Sequence, residues 1–441
     1  MSNTQIISRR LKLSVVGDKE EKDRVYTYLR DAIYNQNKAY NILISNVYSA
    51  IYSGKSKEEI SDIYKRGQRK PKENDNGYSL YKYGEIVFPV GMMVQASVGQ
   101  MVKNDIQKAK SNGLFIGKSS LPNRRLDAAL RIENQQFSFF YDYNSYQEFL
   151  DKLLSKDVDI YMKFVNGITF KVILGNPHKS VEIRSVFKNI FENNYCVKGS
   201  SININGTEIF LNLSLEIPKQ EKELDENIIV GVDLGLAIPA MCALNTSDYI
   251  QLSIGSRDDF LRVRTQIKNQ RRRLYSNLKF ANGGHGRKKK MQAADRFTDY
   301  EKNWVKTYNH MVSKRVVDFA LKHKAKYINL ECLDGISQND LRNNYLLANW
   351  SYYQLQQYIK YKAEKYGIVV RFVNPYHTSQ NCSCCGHWEE GQRVKQAEFI
   401  CKNPKCKNFG KKVNADFNAA RNIAMSTDFV DKSEKKTKKA A

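Results

Sequence analysis

Five of the eight cysteines of this chain are concentrated between Cys382 and Cys406. Two residues separate Cys382 from Cys385, fifteen residues follow, and four residues separate Cys401 from Cys406. Two cysteine pairs at such spacings are typical of a zinc ion held tetrahedrally by four thiolates. We therefore expect a zinc ribbon in which Zn²⁺ is bound by Cys382, Cys385, Cys401 and Cys406, and a closed set of four thiolates indicates a structural rather than a catalytic ion.

Two residues near this cluster complicate the choice of ligands. Cys384 is too close to Cys382 for a usual zinc knuckle, so we expect it to be a bystander, whereas His387 could replace one thiolate.

The other cysteines are scattered along the chain, which argues against a disulfide framework and for a reducing, intracellular setting. The apolar stretch from Ile228 to Leu244 contains Pro239 and Asp233, so it indicates a buried pair of strands rather than a membrane span.

The chain also carries a large excess of positive charge. It has 71 Lys and Arg residues against 46 Asp and Glu, which gives a formal net charge of +25. Basic side chains neutralise phosphates, and the 27 Tyr and 20 Phe residues supply rings that can stack on bases. We therefore expect a nucleic acid as partner; a solvated basic protein without a specific partner is the alternative.

Hydrophobic periodicity divides the 441 residues into two lobes. Residues 126–217 alternate with period two, most clearly from Ile209 to Ile217, while residues 20–52 and the segment after Pro89 have a helical pattern. The N-terminal lobe is thus expected to be a β domain with a helical insertion. Beyond the charged segment 218–226, predicted strands and helices alternate, which favours an α/β lobe. The predicted fold class is therefore α+β and multidomain.

Three acidic residues lie at the ends of predicted elements of the second lobe. Asp233 ends the apolar strand IIVGVD, Glu331 ends the strand KYINLE, and Asp416 lies at or just before the helix in NADFNAARNI. Taken singly, each has a structural explanation, such as an ion pair with Arg for Asp233 or a helix N-cap for Asp416. Asp318 and Asp334 are nearby alternatives, but Asp318 falls within a helical pattern and Asp334 within a turn.

Taken together, the three acids indicate a nuclease. An RNase H-like fold gathers carboxylates from separate strand and helix ends around divalent cations. Two such ions about 3.5–4 Å apart can activate water and stabilise the leaving oxygen during phosphodiester cleavage. Oxygen ligands suit Mg²⁺ or Mn²⁺ rather than zinc. Asp233, Glu331 and Asp416 are therefore the predicted catalytic metal ligands.

A basic segment lies between the first and second acids. Residues 256–290 contain 12 Lys and Arg but only two Asp, and the apolar residues keep helical spacing on one side. We expect the basic side to follow phosphates beside the carboxylates, and we expect GGHGR (Gly283–Arg287) to form a mobile loop. The predicted nucleic-acid contacts are Arg271, Arg272, Arg273, His285, Arg287, Lys288, Lys289 and Lys290.

These motifs together resemble the miniature type V-F CRISPR effector nucleases and their relatives, the transposon-encoded TnpB proteins. The similarity extends in order over nearly all of residues 228–425. The segments that carry it are GVDLG, GGHGR, INLECLDGI, NWSYYQLQQYIKYKAEKYGI, TSQNCSCCGH and NADFNAARNI. Residues 1–217 share only a general layout with the family. The second knuckle, with four intervening residues, departs from the two found in many relatives.

The resemblance implies an Mg²⁺-dependent, RNA-guided endonuclease with a RuvC-like core. It implies a guide RNA, and double- and single-stranded DNA as targets next to a short flanking motif. It also implies that one active site cleaves both strands and that the protein acts in a prokaryotic cytoplasm. It further implies that Arg393 contacts the scissile phosphate and that two protomers share one guide, as an RNA-dependent homodimer joined through the N-terminal lobe.

The resemblance also names the expected domains. The ranges are 1–19 with 121–220 for a β wedge domain, 20–120 for a helical recognition insertion, 221–376 with 410–428 for the RuvC-like nuclease, 377–409 for the zinc ribbon, and 429–441 for a disordered basic tail.

Three other functions stay open on the sequence. A transposon-encoded TnpB-like nuclease would look almost the same. A non-catalytic zinc-ribbon regulator of nucleic acids would be favoured by the loss of any of the three acids, but all three are present. A recombinase or transposase would use the same core to join strands and would need no guide RNA.

Overall fold

The computed structural model describes residues 4–66, 81–83, 86–88, 92–156, 158–220, 222–235, 238–279, 284–332, 352–376, 378–395 and 397–430. The chain divides into two compact units, Met1–Pro218 and Lys219–Ala441. Of the expected disordered tail 429–441, residues 431–441 lie outside the described residues, as does the alternative acid Asp334. The prediction is wrong for Phe429 and Val430, because the Val430 amide donates to the Phe372 carbonyl at 2.8 Å.

The first unit combines a large antiparallel sheet with helices. Its sheet has the strand order β4-β8-β9-β1-β7-β6-β5, and β2 pairs with β3 separately. The elements in chain order are β1 Thr4–Val15, α1 Lys19–Tyr52, α2 Lys57–Arg66, β2 Tyr81–Tyr83, β3 Ile86–Phe88, α3 Met92–Ser111, β4 Leu130–Ile132, β5 Phe137–Tyr141, α4 Tyr146–Leu153, β6 Ile160–Phe164, β7 Thr169–Ile173, α5 Val181–Phe191, β8 Cys196–Asn205 and β9 Glu208–Pro218.

The core of the first unit follows the alternation in its sequence. In β9 each second residue from Ile209 to Ile217 is buried, because successive side chains of a strand point to opposite faces. The N-terminal part of α1 packs on this sheet, whereas its C-terminal part packs with α3 in a separate helical core. The expected pattern of a β domain with a helical insertion is what the chain forms.

The second unit is built on a mixed sheet of five strands. The strand order is β12-β11-β10-β13-β14, and β15, β16 and β17 form a separate small sheet. The elements are β10 Asp225–Asp233, β11 Ala240–Leu244, β12 Gln251–Ile254, α6 Arg257–Lys279, α7 Gly284–Lys322, β13 Ala325–Glu331, α8 Tyr352–Glu364, β14 Val369–Val373, β15 Arg393–Lys395, β16 Glu398–Ile400, β17 Lys412–Asn414 and α9 Ala415–Met425.

Strand direction changes at the centre of the mixed sheet. β10, β11 and β12 pair antiparallel, whereas β13 runs parallel to both β10 and β14. One side of the sheet packs on α7 and α8 through apolar residues such as Val316, Ile328 and Ile359. The other side of β10, β11 and β13 meets α9. The sheet is therefore covered on both faces, which explains why β10 is apolar on both sides.

The expected mobile loop over GGHGR is wrong for residues 284–287, which form the first turn of α7. Gly283 lies outside the described residues. The residues that follow, KKKMQAA, are strong helix formers, and they extend the long helix backwards across two glycines that each cost about 1 kcal/mol. α7 consequently runs as one helix of 39 residues.

Among the described residues, no helix is both long and apolar enough to cross a lipid bilayer. The stretch from Ile228 to Leu244 instead supplies parts of β10 and β11. The chain contains helices, antiparallel sheets and one mixed sheet, so the α+β class predicted from the sequence is confirmed.

Candidate active site and thiolate cluster

Asp233 and Glu331 end two neighbouring parallel strands. The register pairs Gly231 with Asn329 and Val232 with Leu330, so the two acids follow next to each other at the same edge of the sheet. Because the strands have period two, Gly231 and Asp233 share a face with Asn329 and Glu331. This is the face covered by α9: the Asn329 side chain donates to the Ile423 carbonyl at 3.0 Å.

Asp416 comes to this face from the first turn of α9. The N-cap of the helix is Asn414, whose side chain accepts a hydrogen bond from the Phe417 amide at 2.9 Å. The alternative function considered for Asp416, capping this helix, is therefore performed by another residue. The carboxylate of Asp416 is left directed at the site, and the positive end of the helix dipole favours its charge.

The three carboxylates act on one another electrostatically. Burial, followed by the charges of Glu331 and Asp416, raises the pKa of Asp233 to about 8. Burial also raises the pKa of Glu331 and of Asp416. Burial is the first cause of each shift, because taking a carboxyl group out of water disfavours its charged form. The fold thus gathers three acids at a cost, which is typical of functional sites.

Arg393 brings positive charge to this cluster. Its guanidinium lies 3.9 Å from the Asp416 carboxylate, and its charge lowers the pKa of both Asp416 and Asp233. The residue begins β15, and 36% of its side chain is exposed. A partly exposed guanidinium at the rim of an acidic site can reach an incoming anion.

Glu331 is fixed from two sides. Its backbone carbonyl accepts a hydrogen bond from the buried side chain of Gln356 on α8, at 2.9 Å. Its carboxylate accepts a hydrogen bond from the Thr378 hydroxyl, which lowers the pKa of Glu331. Tyr352, at the start of α8, is close enough for the charges of Asp233 and Glu331 to raise its pKa, after the larger effect of its own burial.

A divalent cation fits these residues. Carboxylate oxygens are the ligands that Mg²⁺ and Mn²⁺ prefer, and a cation would offset the repulsion that the charges of Glu331 and Asp416 exert on Asp233. Asp233, Glu331 and Asp416 could each offer oxygen ligands. The arrangement is chemically suited to binding a cation and a phosphate together.

Four cysteines meet in the segment between β14 and α9, here called the cysteine module (residues 378–414). The Sγ atoms of Cys382, Cys385, Cys401 and Cys406 all lie within 4.8 Å of one another. The Sγ atoms of Cys382 and Cys406 are 3.9 Å apart, and those of Cys385 and Cys401 are 3.7 Å apart. Zinc–sulfur bonds of about 2.3 Å in a tetrahedron require sulfur atoms roughly 3.8 Å apart, so the cluster fits zinc.

The two residues that complicated the choice of ligands lie outside this cluster. Cys384 is only partly buried, and the four-cysteine group does not include it. The imidazole of His387 instead faces the Glu389 carboxylate, with Nε2 and Oε2 3.3 Å apart. Hydrogen bonds to sulfur support two of the clustered thiols: the Asn408 amide donates to Cys406, and the Asn403 side chain to Cys385.

An ion-pair network joins the cysteine module to the sheet. Asp248, in the turn between β11 and β12, accepts from the Arg421 guanidinium at 2.6 Å and from the Lys407 ammonium. Only 6% of the Arg421 side chain is exposed. Since Lys407 follows Cys406 and Arg421 is on α9, Asp248 connects three parts of the second unit.

The predicted nucleic-acid contacts differ in their surroundings. Arg272 and Arg273 are exposed on α6, and Lys289 is exposed on α7. Arg271 is half-buried and lies 3.3 Å from Glu301, which also pairs with Arg264 at 2.6 Å. Arg271 is therefore partly engaged by a carboxylate of the protein itself, one that it shares with Arg264. The side chains of His285, Arg287, Lys288 and Lys290 lie outside the described residues.

Several contacts around the site were missed in the sequence analysis. They involve Thr378, Gln356, the Asp248–Arg421 pair, and Asn418 and Asn422 on α9. The sequence offered a signal for the two asparagines, which lie four residues apart in NADFNAARNI and so on one helix face. Thr378 begins the TSQNCSCCGH motif, but no local pattern indicates its partner.

Comparison with known proteins gives a consistent result. The family model "Cas12f1-like, TNB domain" matches residues 352–423, which include α8, β14, the cysteine module and most of α9. A CRISPR-associated endodeoxyribonuclease Cas12f1 of Sulfoacidibacillus thermotolerans is 32% identical over 354 residues, covering 78% of this chain and 80% of the relative. Another, of Syntrophomonas palmitatica, is 30% identical over 364 residues, covering 74% and 71%.

The fold agrees with these matches. The protein in the cryo-EM structure of a Cas12f1–sgRNA–target DNA complex superposes with a TM-score of 0.69 at 18% identity, covering 97% of this chain and 100% of the other. Fold and site thus define a Cas12f-like protein with an acidic centre and the cysteine module. The chain belongs to the Cas12f1 family, and the resemblance found in its sequence is confirmed.

Proposed function

We propose that this chain is an RNA-guided DNA endonuclease that hydrolyses phosphodiester bonds at Asp233, Glu331 and Asp416. The convergence of these three carboxylates at one sheet edge carries the proposal. Membership of the Cas12f1 family, whose relatives are named as CRISPR-associated endodeoxyribonucleases, supports the same activity.

The order of the strands supports an RNase H-like, RuvC-like nuclease domain. In that fold three antiparallel strands are followed by two that run parallel to the first, which agrees with the order β12-β11-β10-β13-β14. The acids then come from the first strand, the fourth strand and a later helix. We assign residues 221–376 and 410–428 to this domain, and residues 1–220 to the wedge and recognition domains.

Asp233, Glu331 and Asp416 would hold Mg²⁺ or Mn²⁺ in this enzyme. Divalent ions at such a site activate water for attack on phosphorus and stabilise the leaving oxygen. The protein keeps the ligands in place: the strand register sets Asp233 beside Glu331, Gln356 fixes the Glu331 backbone, and Asn414 caps the helix that carries Asp416.

Arg393 would bind the scissile phosphate. Its partly exposed guanidinium presents positive charge beside Asp416 and can donate two parallel hydrogen bonds to phosphate oxygens. Because Arg393 lies within the cysteine module, that module would take part in binding the DNA at the cleavage site. With Zn²⁺ on its four thiolates, the module would act as a zinc ribbon that holds Arg393 and the DNA near the acids.

The partners follow from charge and family. A guide RNA would select the target by base pairing, while the protein would read duplex shape and a short flanking motif. The net charge of +25 suits a complex with both RNA and DNA. We further propose a homodimer that forms on the guide RNA, which mass measurement of the chain with and without its RNA tests.

Substitution of the acids tests the central proposal. Asp233→Ala, Glu331→Ala and Asp416→Ala should each abolish cleavage of guide-matched DNA in Mg²⁺, while RNA binding stays near the wild-type level. Asp318→Ala is the matched control, because Asp318 is an exposed acid on α7, and it should cut normally. Sequencing the RNA that copurifies with the protein from its host identifies the guide. Cleavage by Asp233→Ala would refute the site.

A further inference from the structure

Thr378 contacts the acidic cluster directly. Its side chain is buried, with a relative exposure of 7%, and its hydroxyl lies 2.5 Å from the Glu331 carboxylate. The Pro375 carbonyl is a second acceptor, at 3.1 Å. A threonine hydroxyl has one proton, and the carboxylate oxygen is the nearer acceptor, so the hydroxyl donates to Glu331.

The backbone around Thr378 is held by α9. Asn422 donates through its side chain to the carbonyls of Thr378 and Asn381, both at 2.8 Å. Asn418 donates to the same Asn381 carbonyl at 2.7 Å and accepts from the Ser383 amide at 2.8 Å. Four hydrogen bonds with two side chains of one helix therefore fix the segment from Thr378 to Ser383, which includes Cys382 of the four-cysteine cluster.

The same helix carries Asp416. Asn418 lies two residues after Asp416. The position of α9 therefore determines both where Asp416 lies and where the segment containing Thr378 lies. Asn418 is buried, with 1% of its surface exposed, which leaves its amide little freedom. Two acids are thereby placed by one helix: Asp416 directly, and Glu331 through Thr378.

We propose that Thr378 is a positioning residue for Glu331. The inference rests on the proposed nuclease function. A hydroxyl bound to one carboxylate oxygen fixes the rotation of the carboxylate and leaves the other oxygen for a cation. Carboxylates that bind metals are commonly oriented in this way by a neighbouring donor, whose loss costs about 10–100-fold in metal affinity or activity.

Two substitutions of opposite kind test the role. Thr378→Val keeps the size and β-branching of threonine but removes the hydroxyl, whereas Thr378→Ser keeps the hydroxyl. Both full-length variants are compared with the wild type as complexes with guide RNA. The measurements are Mn²⁺ affinity by electron paramagnetic resonance, cleavage rate over a range of Mg²⁺ concentrations, guide-RNA binding and thermal unfolding.

Thr378→Val should bind Mn²⁺ about 10–100-fold more weakly and need more Mg²⁺ to cut, with unchanged RNA binding and unfolding temperature. Thr378→Ser should stay close to the wild type. Wild-type Mn²⁺ affinity in Thr378→Val overturns the proposal, as does an equal loss in both variants. An unfolding temperature lowered in step with activity assigns Thr378 to the fold alone and also overturns it. Failure of the wild type to cut would instead count against the proposed function.

Discussion

Gly231 lies directly against the backbone of Ala420. A Cβ atom added to Gly231 would come within 2.0 Å of the Ala420 carbonyl oxygen and within 2.3 Å of the Ala424 amide nitrogen. Real carbon atoms do not approach so closely, and neither neighbour is the end of a flexible side chain. α9 therefore packs on bare backbone of β10, two residues before Asp233.

Replacing Gly231 should consequently displace Asp416. We expect Gly231→Ala to lower the free energy of unfolding by about 3 kcal/mol or more, because overpacking against backbone forces a shift of the helix. Cleavage should fall with it. Ser253→Ala, at an exposed position of the same sheet, is the control for urea unfolding and cleavage assays. A fully active, stable Gly231→Ala would show that α9 does not need this contact.

The acidic cluster should make the metal-free protein less stable than it could be. Asp233→Asn keeps the shape of the side chain but removes an acid whose ionised form is disfavoured in the folded protein by burial and by the charges of Glu331 and Asp416. In EDTA we expect its unfolding temperature to rise by a few degrees, whereas Asp318→Asn should not raise it, because the charge of Asp318 favours the ammonium of Lys362. Added Mg²⁺ should stabilise the wild type more than Asp233→Asn. Calorimetry checks both statements, and a lower unfolding temperature for Asp233→Asn would contradict the first.

The cysteine module offers a matched pair of substitutions. Cys401→Ser removes one of the four clustered thiols, and Cys384→Ser removes a thiol outside the cluster. We expect the first variant to lose most of its zinc and to unfold at lower temperature, because a structural site depends on all its ligands. The second should retain one zinc per chain by elemental analysis. Equal zinc loss in both variants would place Cys384 among the ligands.

Asp248 should matter for stability more than Lys407. Asp248→Ala leaves the buried guanidinium of Arg421 without this carboxylate, which we expect to cost about 2 kcal/mol. Lys407→Ala removes an exposed partner, and such surface pairs contribute under about 1 kcal/mol. Urea unfolding of the two variants measures the difference. A larger loss in Lys407→Ala would reverse this order.

The arginines of α6 should divide into two kinds. Arg272→Ala and Arg273→Ala remove exposed charges, so each should weaken nucleic-acid binding and reduce the slope of log affinity against log salt by about 1. Arg271→Ala should change that slope less, because Arg271 pairs with Glu301. Binding titrations at several salt concentrations distinguish them, and equal slopes for all three variants would contradict the division.

Local sequence patterns predicted the parts of the site that depend on local structure. Strand periodicity placed Asp233 and Glu331 at strand ends, and cysteine spacing selected the four thiols that the fold brings together. The partners of Thr378 and Arg271 could not be found in this way. Their hydrogen bonds and ion pairs join residues that are distant in the chain, and no periodicity records which segments meet. The first turn of α7 was missed because the helix formers after it outweigh its glycines.

The packing of α9 on β10 also has a consequence for biosynthesis. The ribosome makes β10 long before residues 415–425, so the face with Gly231 and Asp233 stays uncovered while the intervening segments emerge. We expect nascent chains arrested before α9 to bind no catalytic metal ions at this site, and chains that include α9 to bind them. An enzyme that cuts DNA would thus gain that ability late in translation, when its N-terminal unit has already left the ribosome.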